Sequence, residues 1–536
     1  RGRFPAIGAA LAAGILALLL MGPQLFPLLE AIPHSAEYRA RRQALERGAG
    51  RQSVPIPEAA RRMLPDLLPF AHGIYGKSPV QIGRGDGSGM PLGYAGAVLF
   101  PLAALGLFRR PPHERGRAIF LGLFVAGLLF GASAPGVHDL MSRLPGFALA
   151  LNYRLVFLAG LGLSGLAAFG AAHLHLTDEP AAGRRLVFAS GAVGLALVAG
   201  FQFAQPVFVD RSLPDSFTWT QFLYEAVPVA LLGLGALVLP ARARVPAALV
   251  LLCGQRFLEM RGVYPTLPAP SLAPPLPGLE AARSDTPSRV VAAGTIFRPN
   301  GAALYGLEDV RGYESLVLDR FAETYPMWCR AQPASFNLVT DLGSPFLSLL
   351  NARFAIGAPA DRTPKGWIER TRNSTLTIFE NPRALPRAFV PRRLRFGADA
   401  SRRLEEMAGE TDFGGRAWLS RPASAGEAAD VENGEAALEL RSVGPDLLIA
   451  ADVSKPAFIA TTLPDWPGWR AEADGGSPAL RIETVNHAFV GMWLPAGKHR
   501  VRLTYRPPSF ALGLGALAAG LVCAAVLAAT ARPRPS

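Results

Sequence analysis

Apolar and polar positions along this chain segregate into long blocks. About seven apolar runs lie between Phe4 and Met260, near 5–32, 91–108, 118–134, 151–172, 186–206, 221–240 and 245–260. One more follows at 508–531. A hydrocarbon core ~30 Å thick needs ~20 apolar residues per helix. The pattern therefore predicts a polytopic α-helical membrane bundle of about 8 transmembrane helices, the run at 245–260 being interrupted by Gln255 and Arg256. The chain enters its first apolar run within four residues, and that run is too long for a signal peptide. The expectation is an N-terminally truncated fragment whose upstream helices are missing.

Between the last two apolar runs, residues 263–507 read as one large polar domain of the α+β class. Residues 263–429 are mixed: Arg289-Val-Val-Ala-Ala and Thr375-Leu-Thr-Ile-Phe-Glu alternate like strands, and the run from Phe346 to Ile356 reads as a helix entering a strand. Residues 430–507 are nearly all strand, with alternation at 437–441, 447–453, 457–462, 487–493 and 499–505. Short alternating strands separated by Gly, Pro and Asp turns predict an antiparallel β-sandwich.

Charge orients the bundle. With the N-terminus cytoplasmic, the short inner segments collect Arg1, Arg3, Arg109, Arg110, Arg115, Arg117, Arg184, Arg185, Arg242, Arg244, Arg532 and Arg534, whereas the short outer ones hold Arg143 and Arg211. Basic residues favour the inner side, so the polar domain and the loop 34–90 are expected outside the cytoplasmic membrane of a bacterium. The loop ends in Gly83-Arg-Gly-Asp-Gly-Ser-Gly89, which has neither the preceding strand nor the Lys-Ser/Thr of a P-loop. It reads as a connector.

Composition narrows the function classes. Half the residues are hydrophobic and 18% are charged, a balance foreign to soluble proteins of this size. The net charge of +13 is spread without aromatic interleaving, which excludes a nucleic-acid stripe. Three cysteines, two of them in apolar runs, offer no disulfide framework. No Cys/His metal spacing and no Gly-x-Ser-x-Gly elbow is present.

Several blocks resemble the YfhO-like family of bacterial multi-pass membrane proteins, which is related to the GT-C class of lipid-linked-sugar glycosyltransferases. They are Gly306-Leu-Glu-Asp-Val-Arg-Gly-Tyr-Glu-Ser-Leu316, Leu349-Leu-Asn-Ala-Arg-Phe354, Leu463-Pro-Asp-Trp-Pro-Gly-Trp469 and Leu494-Pro-Ala-Gly-Lys-His-Arg-Val-Arg-Leu-Thr-Tyr-Arg-Pro-Pro508, with Pro23–Glu30 and Ser35 in the first membrane segment. The resemblance implies transfer of a sugar from a polyprenyl-phosphate carrier to an extracytoplasmic envelope glycan. It implies a divalent cation only by analogy, and it places the essential GT-C carboxylate in a first outer loop expected upstream of Arg1.

Such a reaction needs a carboxylate for the acceptor hydroxyl and cations for the phosphate leaving group. Glu30, at the end of the first apolar run, is the catalytic candidate, and an interfacial anchor is its plain structural role. Ser35, Arg39, Arg41 and Arg42 follow it, and Arg154 stands at the start of another run; all suit a phosphate or a lipid headgroup. Glu225 stands near one end of its run, where it could serve the carrier or snorkel to water. Asp309 and Arg311 flank one valine and would share a strand face, either contacting sugar with Asn300 and Tyr313 or forming a buried ion pair. Trp466 and Trp469 suit sugar stacking or core packing. A non-catalytic glycan-binding or envelope-assembly protein is the competing reading. A lipid-linked-sugar transporter is disfavoured, because ionisable groups at mid-membrane positions are scarce between Leu92 and Leu252.

Overall fold

A computed structural model describes residues 4–46, 95–108, 114–131, 136–141, 155–176, 180–210, 215–260, 268–312, 316–330, 337–421, 430–473 and 479–530, with single positions between 134 and 147. The chain forms two compact units, Arg42–Pro268 and a second made of Arg1–Arg41 with Ala269–Ser536. Among the described residues four helices are long and apolar enough to cross a membrane: Phe157–His175, Ala181–Gln202, Thr218–Val238 and Pro508–Ala529. A bent pair, Ala12–Leu20 with Gly22–His34, would make a fifth.

In the Arg42–Pro268 unit, helices Leu99–Phe108, Phe157–Leu176, Pro180–Asp210, Asp215–Val238 and Ala241–Met260 bury Val98, Leu102, Leu166, Leu186, Leu232 and Ala248 together. A Cβ on Gly170 would strike the Leu102 carbonyl. Glycine there lets two apolar helices approach backbone to backbone, the usual way to gain packing where lipid supplies no hydrophobic drive.

The other unit begins with a broken helix. Phe4–Leu20 and Gly22–Ala31 meet at an angle of 77°. Pro23 occupies the first turn of the second helix, where its missing N–H costs nothing, but it cannot continue the first helix. Gly22 lies against Gly513 of the final helix, Pro508–Thr530; a Cβ on Gly22 would sit 2.6 Å from the Gly513 carbonyl oxygen. Gly513→Ala places its own Cβ 2.5 Å from the Gly22 carbonyl and should destabilise the protein by about 1–3 kcal/mol. A fall in the detergent-resistant melting temperature, absent in Gly515→Ala where space is open, checks this.

The polar region of this unit holds three sheets. The first contains β1 (Arg289–Ala292), β2 (Ala352–Gly357), β3 (Ile368–Arg372) and β4 (Thr377–Glu380) in the order β1-β2-β4-β3. β1 and β2 run parallel and the other pairs antiparallel. Side chains alternate between faces, so Phe354 and Ile356 join one apolar cluster while Ala355, between them, joins another.

The remaining strands are β5 (Ala388–Phe389), β6 (Arg393–Phe396), β7 (Arg416–Leu419), β8 (Asp430–Glu432), β9 (Ala436–Val443), β10 (Asp446–Val453), β11 (Ala457–Pro464), β12 (Trp469–Ala473), β13 (Ile482–Val485), β14 (Phe489–Leu494) and β15 (Gly497–Tyr505). Seven form a sheet in the order β5-β11-β14-β13-β7-β6-β8, and four form an antiparallel sheet in the order β12-β15-β10-β9. The seven-stranded sheet draws strands from both sides of residue 430, and β6 and β7 run parallel around helix Ala400–Ala408. Asp399 caps that helix by accepting the Arg402 N–H at 2.7 Å, as N-cap carboxylates do. Both sheets contribute to one apolar cluster, Ile459, Val490 and Met492 from the larger and Leu447, Ile449 and Leu503 from the smaller.

Candidate functional site

The site is built where helix Gly22–Ala31 ends. Helix Gly22–Ala31 ends beside the start of Pro508–Thr530, and Glu30 Oε2 accepts the Ser509 N–H at 3.0 Å. A carboxylate there satisfies an orphan donor and faces the positive end of the helix dipole. Residues 32–41 and the polar region therefore leave from the same end of this helix pair.

Ser35 is buried and fixes the exit path. Its hydroxyl donates to Ile32 O at 2.7 Å and accepts the Tyr38 N–H at 3.2 Å, which caps helix Ala36–Glu46. The neighbouring Ala36 N–H donates to Val317 O at 2.8 Å. That pairing brings Arg39 to the short helix Asp319–Glu323, where Asp319 and Glu323 share one face at i, i+4. The Arg39 guanidinium pairs with both carboxylates.

Behind Glu323 stands His487, 1% exposed, its Nε2 2.5 Å from Glu323 Oε2. On the other side of the ring, Arg403 Nη2 lies 3.1 Å from Nδ1. Arginine can only donate, so Nδ1 accepts and Nε2 carries the proton that it donates to Glu323. Burial above all, then the guanidiniums of Arg403, Arg320 and Arg39, lower the His487 pKa to about 4. The ring is therefore neutral at physiological pH.

The backbone holds this ring in place at a cost. Asn486 (φ 45°) and His487 (φ 71°) both occupy the left-handed region between β13 and β14, a conformation costing roughly 1–3 kcal/mol per non-glycine residue. Asn486 offsets it by donating its N–H to Trp418 O at 2.7 Å and accepting the Trp418 N–H through Oδ1 at 3.0 Å. Beside it, Arg320 donates to Thr484 Oγ1 at 3.0 Å and lies 3.5 Å from Asp465, whose Oδ2 accepts the Thr484 hydroxyl at 2.5 Å. Three arginines, three carboxylates and a neutral histidine thus form one connected, charge-balanced cluster. Glu323 and Asp319 keep 32% and 15% of their side-chain surface exposed.

The other expected residues fall elsewhere. Arg41 pairs with Glu37 and Arg42 with Glu46 along their own helix. Asp309 and Arg311 form a bidentate pair, 2.8 and 3.1 Å, with side chains 4% and 0% exposed, and Arg311 also donates to Phe297 O at 2.8 Å. Asn300 takes a left-handed φ of 65° at the start of the turn Gly301–Tyr305. Trp469 is half-buried, donates to Pro464 O at 2.9 Å and packs on Tyr505; Trp466 is half-buried in the same turn. Glu225 does not snorkel: it is 1% exposed and accepts from the Ala97 N–H at 3.1 Å and from the Gln255 amide. The Ala97 N–H lies close to a helix start, a more accessible partner for a carboxylate than distant water. Arg154, Tyr313 and the glycine-rich stretch 83–89 lie outside the described residues. Among the described residues no group of three or more metal-ligating side chains occurs.

Sequence reasoning missed Asp319, Arg320, Glu323, Arg403, Asp465 and His487. The partners of Arg39 lie 280 and 284 residues away, and His487 reads simply as the first residue of a strand. The one local signal was Asn486-His487 between two alternating runs, a pair that suits a left-handed turn.

Residues 447–516 match the family model for the bacterial membrane protein YfhO. Over this stretch the chain is similar to YfhO. The matched stretch runs from β10 into the final helix and carries Asp465, Thr484, His487 and Ser509. It also contains the resembling blocks at 463–469 and 494–508, whereas those at 306–316 and 349–354 precede it. No curated protein and no solved structure matches the chain.

Proposed function

We propose that this YfhO-like membrane protein transfers a sugar from a polyprenyl-phosphate carrier to an envelope glycan. The bundle, completed to about eight spans by the shorter apolar helices, would hold the carrier, and a sandwich-like polar domain outside the cytoplasm would present the acceptor. One observation carries the reading: two partly accessible carboxylates share an arginine at the point where the first membrane segment emerges. In this reading Glu323 takes the proton of the acceptor hydroxyl. Arg39 and Arg320 stabilise the phosphate as it leaves with growing negative charge. His487 orients Glu323 and is a positioning residue. Glu30, engaged with Ser509, is assigned to anchoring the final helix.

The test is transfer by the full chain in lipid nanodiscs, with a panel of polyprenyl-phosphate sugars and envelope glycans. Glu323→Gln keeps the shape and the hydrogen bond to His487 but loses the base, and should lower kcat by roughly 100-fold or more. An unchanged kcat would remove Glu323 from the chemistry. Absence of transfer by the parent protein with every donor would sink the enzyme reading.

A second, non-catalytic reading has its own observation. A cavity of about 730 Å³ opens among Arg392, Arg393, Glu410, Asp412, Arg416 and Glu432, within the size range of ligand sites. Its polar lining suits a glycan bound without turnover.

A further inference from the structure

The smaller sheet ends on a strand that matches itself. β9 pairs with β10 through Val443↔Asp446, Arg441↔Leu448 and Glu439↔Ala450. β9 is an edge strand, last in the order β12-β15-β10-β9. The connection is the two-residue turn Gly444-Pro445, with Gly444 at φ 58°, the form in which a glycine opens a type II′ hairpin. Its closing pair, Val443 with Asp446, is hydrogen-bonded, so alternate residues Arg441, Glu439 and Ala437 direct their backbone groups at β10. Ser442, Leu440 and Leu438 direct theirs at the outer edge, where among the described residues no strand pairs with them. An eight-residue strand with an open ladder is a template for another strand.

The side chains select the partner. Outward on the sheet face, β9 carries Ala437, Glu439, Arg441 and Val443, all exposed. In an antiparallel pairing of two copies centred on Leu440, Glu439 faces Arg441 of the second copy and Arg441 faces its Glu439. Val443 faces Ala437 on the same side. The charged pairs then occupy non-hydrogen-bonded positions, where side chains approach most closely. A pairing centred on Glu439 sets glutamate against glutamate, and one centred on Arg441 sets arginine against arginine. On the inner face Leu438 and Leu440, each half-exposed at the edge, gain cover.

We infer that β9 is a homodimer interface: two copies of the chain join edge to edge in the register Leu440↔Leu440, giving one continuous eight-stranded sheet. The register makes a sharp test, because Cα atoms of a hydrogen-bonded antiparallel pair lie ~5.5 Å apart, within disulfide reach. In full-length protein in membranes, with Cys253, Cys329 and Cys523 changed to serine, Leu440→Cys should give a covalent dimer on mild oxidation. Ser442→Cys should not, since the two copies of residue 442 would lie ~14 Å apart along the ladder. Glu439→Arg, a surface change, should weaken dimerisation of the Cys-free protein in detergent roughly tenfold by light scattering, and adding Arg441→Glu should restore it. A monomeric parent, equal cross-linking at 440 and 442, or indifference to charge reversal would each overturn the inference.

Discussion

Arg311→Met should lower stability by about 3–5 kcal/mol, the largest effect expected of any single substitution in the polar region. The change removes a guanidinium with no exposed side-chain surface and strands Asp309, 4% exposed, without its partner. One hydrogen bond survives, because Asp309 Oδ1 also accepts the Arg311 backbone N–H at 2.9 Å. That single bond does not replace a bidentate cationic partner for a carboxylate removed from water. The double change Asp309→Leu with Arg311→Met removes both charges and should recover most of the loss. Thermal unfolding followed by tryptophan fluorescence distinguishes the cases: equal losses in the single and double variants would show that packing, not charge, holds this corner.

Acid should weaken the fold in a window set by His487. Its folded pKa is about 4 against 6.5 for the free side chain, so between these values the unfolded chain binds a proton that the folded chain refuses. The contribution of the neutral ring is complete above pH 6.5, declines as pH falls and is exhausted near pH 4. At 1.36 kcal/mol per pH unit the total is about 3 kcal/mol. Glu406, held down to about 2 by the Arg395 guanidinium, acts in a lower window, between 4.5 and 2. His487→Gln should therefore flatten the dependence between pH 6.5 and 5 while leaving the lower phase intact. Melting temperatures of parent and variant across pH 7.5 to 3 test this, and parallel curves would remove His487 as the cause.

What the sequence discloses and what it hides divide along physical lines. Period-two alternation located β9, β10 and β15, because a strand between core and solvent must write its burial into consecutive residues. The side-by-side placement of Asp309 and Arg311 is equally local, and the two side chains do meet. β14 begins at Phe489, two residues beyond the start of the alternating run, since left-handed backbone at Asn486 and His487 turns the chain there. The break in the long first apolar segment carried a local signal, the turn-prone dipeptide Gly22-Pro23, which the apolar length of the segment outweighed. The charged cluster was illegible for a different reason. It joins residues 39, 319–323, 403, 465 and 487 from five separate elements, and no spacing rule connects them.

The bond between Glu30 and Ser509 spans 479 residues of chain. Ribosomes deliver roughly 5–20 residues per second, so the partner of the broken helix arrives roughly 25 to 95 s after it. During that delay Gly22 and the Glu30 carboxylate have no final helix to meet. The broken helix must tolerate lipid, or a helper protein, as a temporary neighbour. The small residues at its crossing make that tolerable, since a glycine face exposes little that another nascent helix could seize.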